Sequence, residues 1–237
     1  MKKLDNSRET FMRVNVGNYL FRRVRNTEYV DKSELISLTN KVIDTEDQYI
    51  CVTRPRRFGK SVTVKMLNAY YSKGCDSKTL FSDLKIASKP DFEKHLNLHD
   101  VIYLDMMSFE DQECGGDKYL DILNYKVVSE LKDTYPDSFE KDKSYSLPEA
   151  ICCLNKRFIF IIDEWDFVFR KYQKNSKLHE EFIDLLRALF KGDGESFVEL
   201  VYMTGILPIA RYNTQSALNN FIEYTILSSG DFSQYYG

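Results

Sequence analysis

The sequence has little of what would mark an exported, membrane-embedded or zinc-binding protein. Its five cysteines show no paired CxxC spacing, and two of them, Cys152 and Cys153, are adjacent. This distribution suits neither a disulfide framework nor a zinc site, and it fits a reducing compartment. The basic N-terminus is followed by no apolar stretch, and no segment has the apolar length needed to cross a bilayer. We therefore expect a cytoplasmic protein without a membrane partner.

The chain also lacks an excess of charge of either sign. A formal net charge of -3 over 237 residues gives no bulk basic surface of the kind that binds nucleic acid. The sixteen tyrosines and sixteen phenylalanines are spread through apolar segments and not interleaved with a basic run, so we expect most to pack in the core. This length fits one α/β domain with appendages better than two packed domains.

Short apolar runs alternate with segments of helical period. The predicted strands are Tyr49–Thr53, Val101–Asp105, Phe158–Ile162, Phe197–Thr204 and Tyr224–Leu227. The third is apolar at every position, as a strand buried on both faces should be. Such alternation predicts a five-stranded, mainly parallel sheet in a doubly wound three-layer α/β/α sandwich. Ligands of such sheets bind off the carboxyl ends of the strands.

Apolar residues at steps of three and four, together with capping residues, predict the helices. An opening helix is expected from Asp31, where Asp31 and Glu34 form a capping-box pattern. The other predicted helices cover Ser61–Lys73, Leu120–Leu131, Leu147–Asn155, Leu178–Leu189 and Thr214–Phe221, and the expected loops are Asp111–Lys118, Asp133–Ser146 and Lys171–Lys177.

The segment TRPRRFGKS, Thr53–Ser61, lies between the first strand and its helix. Its last three residues match the end of the Walker A pattern in the strand–loop–helix context that the pattern requires. In such a loop, backbone N–H groups surround phosphates, the lysine neutralises the β and γ oxygens, and the serine hydroxyl ligates Mg²⁺. The predicted nucleotide-binding residues are Arg54, Pro55, Arg56, Arg57, Phe58, Gly59, Lys60 and Ser61.

The loop departs from the full Walker A pattern at Arg54, where the pattern has a glycine. The turn must then be made with Pro55 and two arginines. Arg56 and Arg57 therefore either face the phosphates or point to solvent. A chance match at a helix start is the alternative interpretation, and the flanking strand and helix argue against it.

The run FIFIIDEWD places Asp163 and Glu164 just past the third strand, at the edge from which the phosphate loop also emerges. An apolar strand that ends in acidic residues is the Walker B arrangement. Asp163 would hold Mg²⁺ through water, and Glu164 would orient or deprotonate the attacking water. The alternative is that both acids only cap a loop, but two matches at one edge favour a single nucleotide site. A further strand between the two motifs is typical of the additional-strand, catalytic-glutamate branch of P-loop proteins.

Several segments resemble one known family. They are YVDKSELI at Tyr29–Ile36, TRPRRFGKS, VIYLD, IIDEWD, MTGILPIA at Met203–Ala210 and FSQYYG at Phe232–Gly237. Together they resemble the bacterial AAA-ATPase-like family over nearly the whole chain from Tyr29. The resemblance implies ATP as the nucleotide and makes an arginine at position 54 normal. Trp165 stands where the family commonly has a tyrosine, and Pro208 stands where it often has a basic residue.

The resemblance also bears on domains and partners. The family's ATPase domain is usually followed by a helical segment and a nuclease-like domain of the PD-(D/E)XK type, which have no counterpart here. We expect residues 1–28 to be an N-terminal extension and residues 29–237 to form the ATPase domain, either as a piece of a longer protein or as a natural short form. Self-association, and a nucleic-acid or protein partner reached through the missing C-terminal region, remain open.

Other candidates have weaker support. Thr204 ends the fourth strand, next to the third in a sheet of this branch, so it either senses the γ-phosphate or only forms a turn. An arginine finger could be Arg211, Arg187 or an arginine of a neighbouring subunit, although an ordinary surface charge is the simpler interpretation. Periodicity places Arg187 away from the apolar stripe of its helix. His95 and His99 lack a third metal ligand, and we expect surface histidines.

The leading hypothesis is an Mg²⁺-dependent ATPase. Its catalytic residues would be Glu164, Lys60 and Thr204, and its metal ligands Ser61 and Asp163. The alternatives are a nucleotide-dependent switch with little turnover and the ATPase module of a nucleic-acid-processing protein. A small-molecule kinase would not need Glu164 next to Asp163, and the sequence shows no separate acceptor site.

Overall fold

A computed structural model describes residues 12–209, 218–225 and 235 of the chain. Its strands are β1 Tyr49–Thr53, β2 Val101–Asp105, β3 Phe158–Asp163, β4 Val198–Gly205 and β5 Ile222–Tyr224. Its α-helices are α1 Tyr19–Arg25, α2 Leu35–Val42, α3 Lys60–Tyr71, α4 Lys78–Phe81, α5 Tyr119–Thr134, α6 Leu147–Cys153, α7 Phe167–Lys171 and α8 Ser176–Phe190. None of the helices in these residues is long and apolar enough to cross a membrane.

The five strands form one sheet in the order β2-β3-β4-β1-β5, and every pairing is parallel. Strand β4 lies between β1 and β3, as in the additional-strand branch that the sequence predicted. Because the pairings are parallel, the carboxyl ends of the strands meet at one edge, which we call the carboxyl edge. The loop after β1 and the acidic residues after β3 therefore emerge on either side of β4.

Two hydrophobic clusters cover the two faces of the sheet. Phe158, Phe160 and Ile162 of β3 point into one cluster with α5, α6, α7 and α8. Ile159 and Ile161 point into the other with α1, α2, α3 and α4. The alternation follows from the period of two along a strand. It makes β3 buried at every position and confirms the three-layer α/β/α sandwich.

The predicted elements agree with the structure in type, and their ends differ by a few residues. Strands β1 and β2 have the predicted bounds, while β5 begins two residues early at Ile222. The sequence missed the short helices α1, α4 and α7. Of the helix predicted over Thr214–Phe221, residues 214–217 lie outside the described residues, and residues 218–221 are not helical.

The capping-box prediction at Asp31 was wrong. Helix α2 begins at Leu35, and the Asp31 carboxylate accepts hydrogen bonds from the backbone N–H groups of Ser33 and Lys85, both at 2.8 Å. Glu34 forms an ion pair with Lys89 instead of returning to the backbone. The acidic residue thus joins two loops, a long-range role that a local pattern does not reveal.

The described part of the N-terminal segment packs on the domain. Asn15 N donates to the Val101 carbonyl at 2.8 Å, and Tyr103 N donates to the Arg13 carbonyl at 2.7 Å, so this segment lies along the outer edge of β2. Phe21 of α1 is fully buried, and its ring stacks on that of Phe81 at 5.2 Å. A domain boundary at Tyr29 stays a prediction, and these contacts join residues 13–28 to the fold.

Candidate functional site

The loop between β1 and α3 has an unusual backbone. Arg57 and Gly59 have φ angles of 73° and 80°, in the left-handed region that favours glycine. A Cβ atom at Gly59 would also lie 3.0 Å from the Nζ atom of Lys32, so both conformation and space favour glycine there. Helix α3 begins at the next residue, and its N-terminus therefore faces the loop, where the helix dipole favours anions.

Lys60 places its ammonium group inside this loop. The Nζ atom donates to the carbonyl oxygens of Arg54 at 2.7 Å and Pro55 at 2.9 Å. Burial lowers the pKa of Lys60, and the carboxylates of Glu164 and Asp163 oppose that shift. A cation in such a loop, facing two carboxylates across a gap, is in a position to bind phosphate oxygens.

Arg54 does not direct its guanidinium group toward the phosphate position. Its Nη1 atom donates to the carbonyl oxygens of Thr53 at 3.0 Å and Tyr224 at 2.8 Å, and the residue is 1% exposed. The side chain thus ties the end of β1 to β5. A nucleotide contact from Arg54 would have to come from its main chain, while the exposed Arg56 and Arg57 are free of this constraint.

Asp163 and Thr204 form a hydrogen-bonded pair across neighbouring strands. The Thr204 hydroxyl donates to Asp163 Oδ1 at 2.5 Å, and both residues are buried. The bond fixes the orientation of the carboxylate at the end of β3. The structure therefore brings Thr204 to the acidic pair, whereas its role as a γ-phosphate sensor stays a prediction.

Asp105 is a third carboxylate at this edge and was missed by the sequence reasoning. It ends β2, and its register partner on β3 is Asp163. Burial and the nearby carboxylates of Asp163 and Glu164 raise the pKa of Asp105. The only local signal was the position of an acidic residue at the end of an apolar strand.

Glu164 lies directly after β3 with a φ of 57°, a strained conformation for a residue with a side chain. Its carboxylate forms an ion pair with Nη2 of Arg170 on α7. The Nε atom of the same arginine donates to Asp166 Oδ2 at 3.0 Å. The sequence reasoning missed both Asp166 and Arg170, although they are three and seven residues from Asp163, respectively.

Asp166 joins this group to the loop after β4. It is fully buried, and its Oδ2 atom also accepts from the backbone N–H groups of Ile206 at 3.2 Å and Leu207 at 2.9 Å. A buried carboxylate needs such donors to offset its loss of hydration. Asp166 therefore fixes the first turn of that loop relative to α7.

Lys32 is a second cation at the phosphate loop. Its Nζ atom donates to the Phe58 carbonyl at 3.0 Å, and burial lowers its pKa. The residue belongs to the segment YVDKSELI, which contributed to the family resemblance without an assigned role. The structure gives that segment a place beside the loop.

A magnesium ion would need more than protein carboxylates here. The described residues contain no group of three or more His, Cys, Asp or Glu side chains that could hold a metal ion. Mg²⁺ usually keeps several waters and is bound through one or two carboxylates together with substrate phosphates. Asp163 at the end of β3 and the exposed Ser61 in the first turn of α3 suit that mode of binding.

Three weaker candidates lie away from this site or outside the described residues. Arg187 is exposed and pairs with Asp184 at 2.5 Å, which confirms its position off the apolar stripe. Arg211 lies outside the described residues. His95 and His99 are both partly exposed, and a hydrogen bond of 2.9 Å joins Nδ1 of His95 to Nε2 of His99.

The parallel sheet with β4 between β1 and β3, and the loop and acidic pair at its carboxyl edge, define a P-loop NTPase fold of the additional-strand type. The model of the AAA-ATPase-like family, described as a predicted AAA-ATPase, matches residues 13–214, and the chain belongs to this family. A search of curated proteins found no match. The family supports an ATPase-like domain, in agreement with the resemblance seen in the sequence.

Proposed function

We propose that this domain binds ATP with Mg²⁺ and hydrolyses it to ADP and phosphate. The observation that carries the proposal is the position of Lys60 inside the loop after β1, near Asp163 at the end of β3 and Glu164 directly after it. A cation for phosphate oxygens, a carboxylate for the metal and a second carboxylate for water are the parts that phosphoryl transfer to water requires.

Each residue has a distinct part in this proposal. The Lys60 ammonium would exchange its carbonyl partners for β- and γ-phosphate oxygens, while the N–H groups at the start of α3 bind the same phosphates. Ser61 and Asp163 would bind the metal, the carboxylate being held by Thr204. Glu164 would accept the proton of the water that attacks the γ-phosphorus. ATP as the nucleotide and a cytoplasmic location rest on the resemblance and on composition.

The test is phosphate release by the wild-type chain and by Glu164→Gln, with ATP binding measured in parallel. Removing a general base typically costs about 10²- to 10⁴-fold in rate. We expect kcat to fall at least about 100-fold in the variant, with ATP affinity changed by less than about threefold, since glutamine keeps the size of the side chain. Omission of Mg²⁺ should abolish release. Equal rates in the two proteins would refute the role of Glu164.

A nucleotide-dependent switch with little turnover is the second candidate. It is favoured by one observation, the ion pair that occupies Glu164. Such a protein would bind ATP tightly and release no phosphate above background, even after self-association. Titrations with ATP and GTP would establish the base preference in either case.

A further inference from the structure

A continuous polar network links the carboxylate of Glu164 to the loop after β4. It runs from Glu164 to the Arg170 guanidinium, from there to Asp166 Oδ2, and on to the N–H groups of Ile206 and Leu207. The guanidinium bridges two carboxylates through different nitrogen atoms, a geometry that a lysine ammonium reproduces poorly. The two arginine bonds lie within one short stretch of chain, residues 164–170.

The backbone at Glu164 is fixed, so Arg170 acts on its side chain. Trp165 N donates to the Thr204 carbonyl at 2.9 Å, and Phe167 N donates to the Glu164 carbonyl at 2.8 Å. Little remains variable at Glu164 except its own side-chain torsions. The ion pair with Arg170 restricts those torsions and thereby determines where the carboxylate points.

Without Arg170, the other charges at the carboxyl edge would determine where the Glu164 carboxylate points. Asp105 and Asp163 repel it, and Lys60 attracts it from the phosphate loop. A carboxylate released from Arg170 would therefore turn away from the two aspartates and toward the ammonium group that the phosphates require. Arg170 prevents this turn because its guanidinium group, on α7, pairs with the Glu164 carboxylate.

We infer that Arg170 is a positioning residue for Glu164 and that, through Asp166, it ties the orientation of the general base to the loop after β4. The inference rests on the proposed hydrolysis. Thr204 lies at the end of β4, immediately before Gly205 and this loop. Thr204, which holds the Asp163 carboxylate, and the loop N–H groups, which hold Asp166, therefore belong to one segment of the chain. A shift of that segment moves both together.

The experiment compares Arg170→Ala with wild type, alone and combined with Glu164→Gln. Because misplacement of a reacting group by about 1 Å can cost on the order of 100-fold, we expect kcat to fall about 10- to 100-fold in Arg170→Ala, with KM changed less than about threefold. In the Glu164→Gln background, the same substitution should change the residual single-turnover rate by less than about threefold, because coupled residues do not add.

Two further variants guard against a purely structural effect. Arg170→Lys keeps the charge without the bridge, and we expect it to recover part of the lost kcat. Lys171→Ala removes the neighbouring cation on α7, which pairs with Glu110, and it should leave kcat unchanged. An unchanged kcat in Arg170→Ala, or an equal loss in the wild-type and Glu164→Gln backgrounds, would overturn the inference.

A measurement without turnover separates this inference from the proposed function. The Nη N–H signals of Arg170, observed by NMR in the protein without nucleotide, should be protected in wild type and lose protection in Glu164→Ala, while the Nε N–H, which donates to Asp166, should stay protected in both proteins. If wild type releases no phosphate while this protection depends on Glu164, hydrolysis is refuted and the pairing stands. If protection of the Nη N–H groups is the same in both proteins, the pairing itself is wrong.

Discussion

The two edges of the sheet both bring charged side chains together, but they do so in different ways. At the opposite edge, where the amino ends of the strands meet and which we call the amino edge, Asp100 accepts from Lys73 Nζ at 2.5 Å and from Asn15 Nδ2 at 3.0 Å. It also accepts from the Tyr135 hydroxyl. Nearby, His99 bonds to Glu199 at 2.5 Å. These networks close within the chain and hold its elements together.

The carboxyl edge gathers charges of both signs. Asp105, Asp163 and Glu164 lie together there, and Lys60, Lys65 and Arg170 are the nearby cations. The ammonium group of Lys60 bonds to backbone carbonyls and not to a carboxylate. Neighbouring carboxylates repel one another, and a bound cation relieves that repulsion. An ammonium group that is held by carbonyl oxygens can exchange those oxygens for others. The ion pairs of the amino edge thus hold parts of the fold together, whereas the carbonyl-held Lys60 is the group that we propose binds phosphate.

The largest expected effect is at Lys60. We expect Lys60→Ala to weaken ATP binding about 100-fold or more, since bonds to a charged group contribute about 1.5–3 kcal/mol each. Isothermal titration would measure the change. Lys41→Ala, which removes an exposed lysine of α2, is the control and should alter affinity by less than about threefold. Similar losses in both variants would mean that Lys60 acts only through general charge.

Gly205 at the carboxyl edge and Gly74 at the amino edge allow the stability cost of an added methyl group to be compared between the two edges. A Cβ atom at Gly205 would lie 2.5 Å from Nε1 of the buried Trp165, whereas a Cβ atom at Gly74 has no atom within 4 Å and suffers only from its φ of +82°. We expect Gly205→Ala to lower the free energy of unfolding by about 2–3 kcal/mol through overpacking, and Gly74→Ala to lower it by about 1 kcal/mol. Denaturant titration measures both, and an equal cost would contradict the packing argument.

The smallest effect concerns pH at the amino edge. Burial lowers the pKa of His95, and the neighbouring His99 and Lys94 add to that shift, while Glu199 and Asp91 oppose it. The folded chain therefore favours neutral His95, and stability present above the ordinary pKa of about 6.5 is lost as the pH falls through the lowered value.

We therefore expect Tm to drop between about pH 7.5 and pH 5.5 in wild type, and to drop less in His95→Gln. Thermal melts at the two pH values measure the difference, and ATP affinity at pH 7.5 should be unchanged in the variant. The same drop in both proteins would exclude His95 as its source.

The sequence predicted the parts of the site that depend on local pattern. The strand–loop–helix around Lys60 and the acidic end of β3 are contiguous, and their meeting at one edge follows from parallel strands. Thr204 could be placed for the same reason. The fold followed from the alternation of apolar runs with helical periods.

The remaining residues depend on contacts that a pattern does not contain. Arg170 lies on a five-residue helix too short to show a period, and Asp166 reads as one more acidic residue until its N–H donors on the loop after β4 are seen. Arg54 shows the opposite case, because its side chain and its main chain have different surroundings. Its place in the motif suggested a phosphate ligand, but its side chain bonds to the β5 carbonyl of Tyr224.

The chain has a single tryptophan, and it lies between Glu164 and Asp166. The Trp165 indole is fully buried, its backbone N–H is bonded to the Thr204 carbonyl, and its ring abuts Gly205. Its emission therefore arises from one place in the fold, next to the base, the metal carboxylate and the loop after β4. Intrinsic fluorescence is thus an optical probe of this edge that needs no added label.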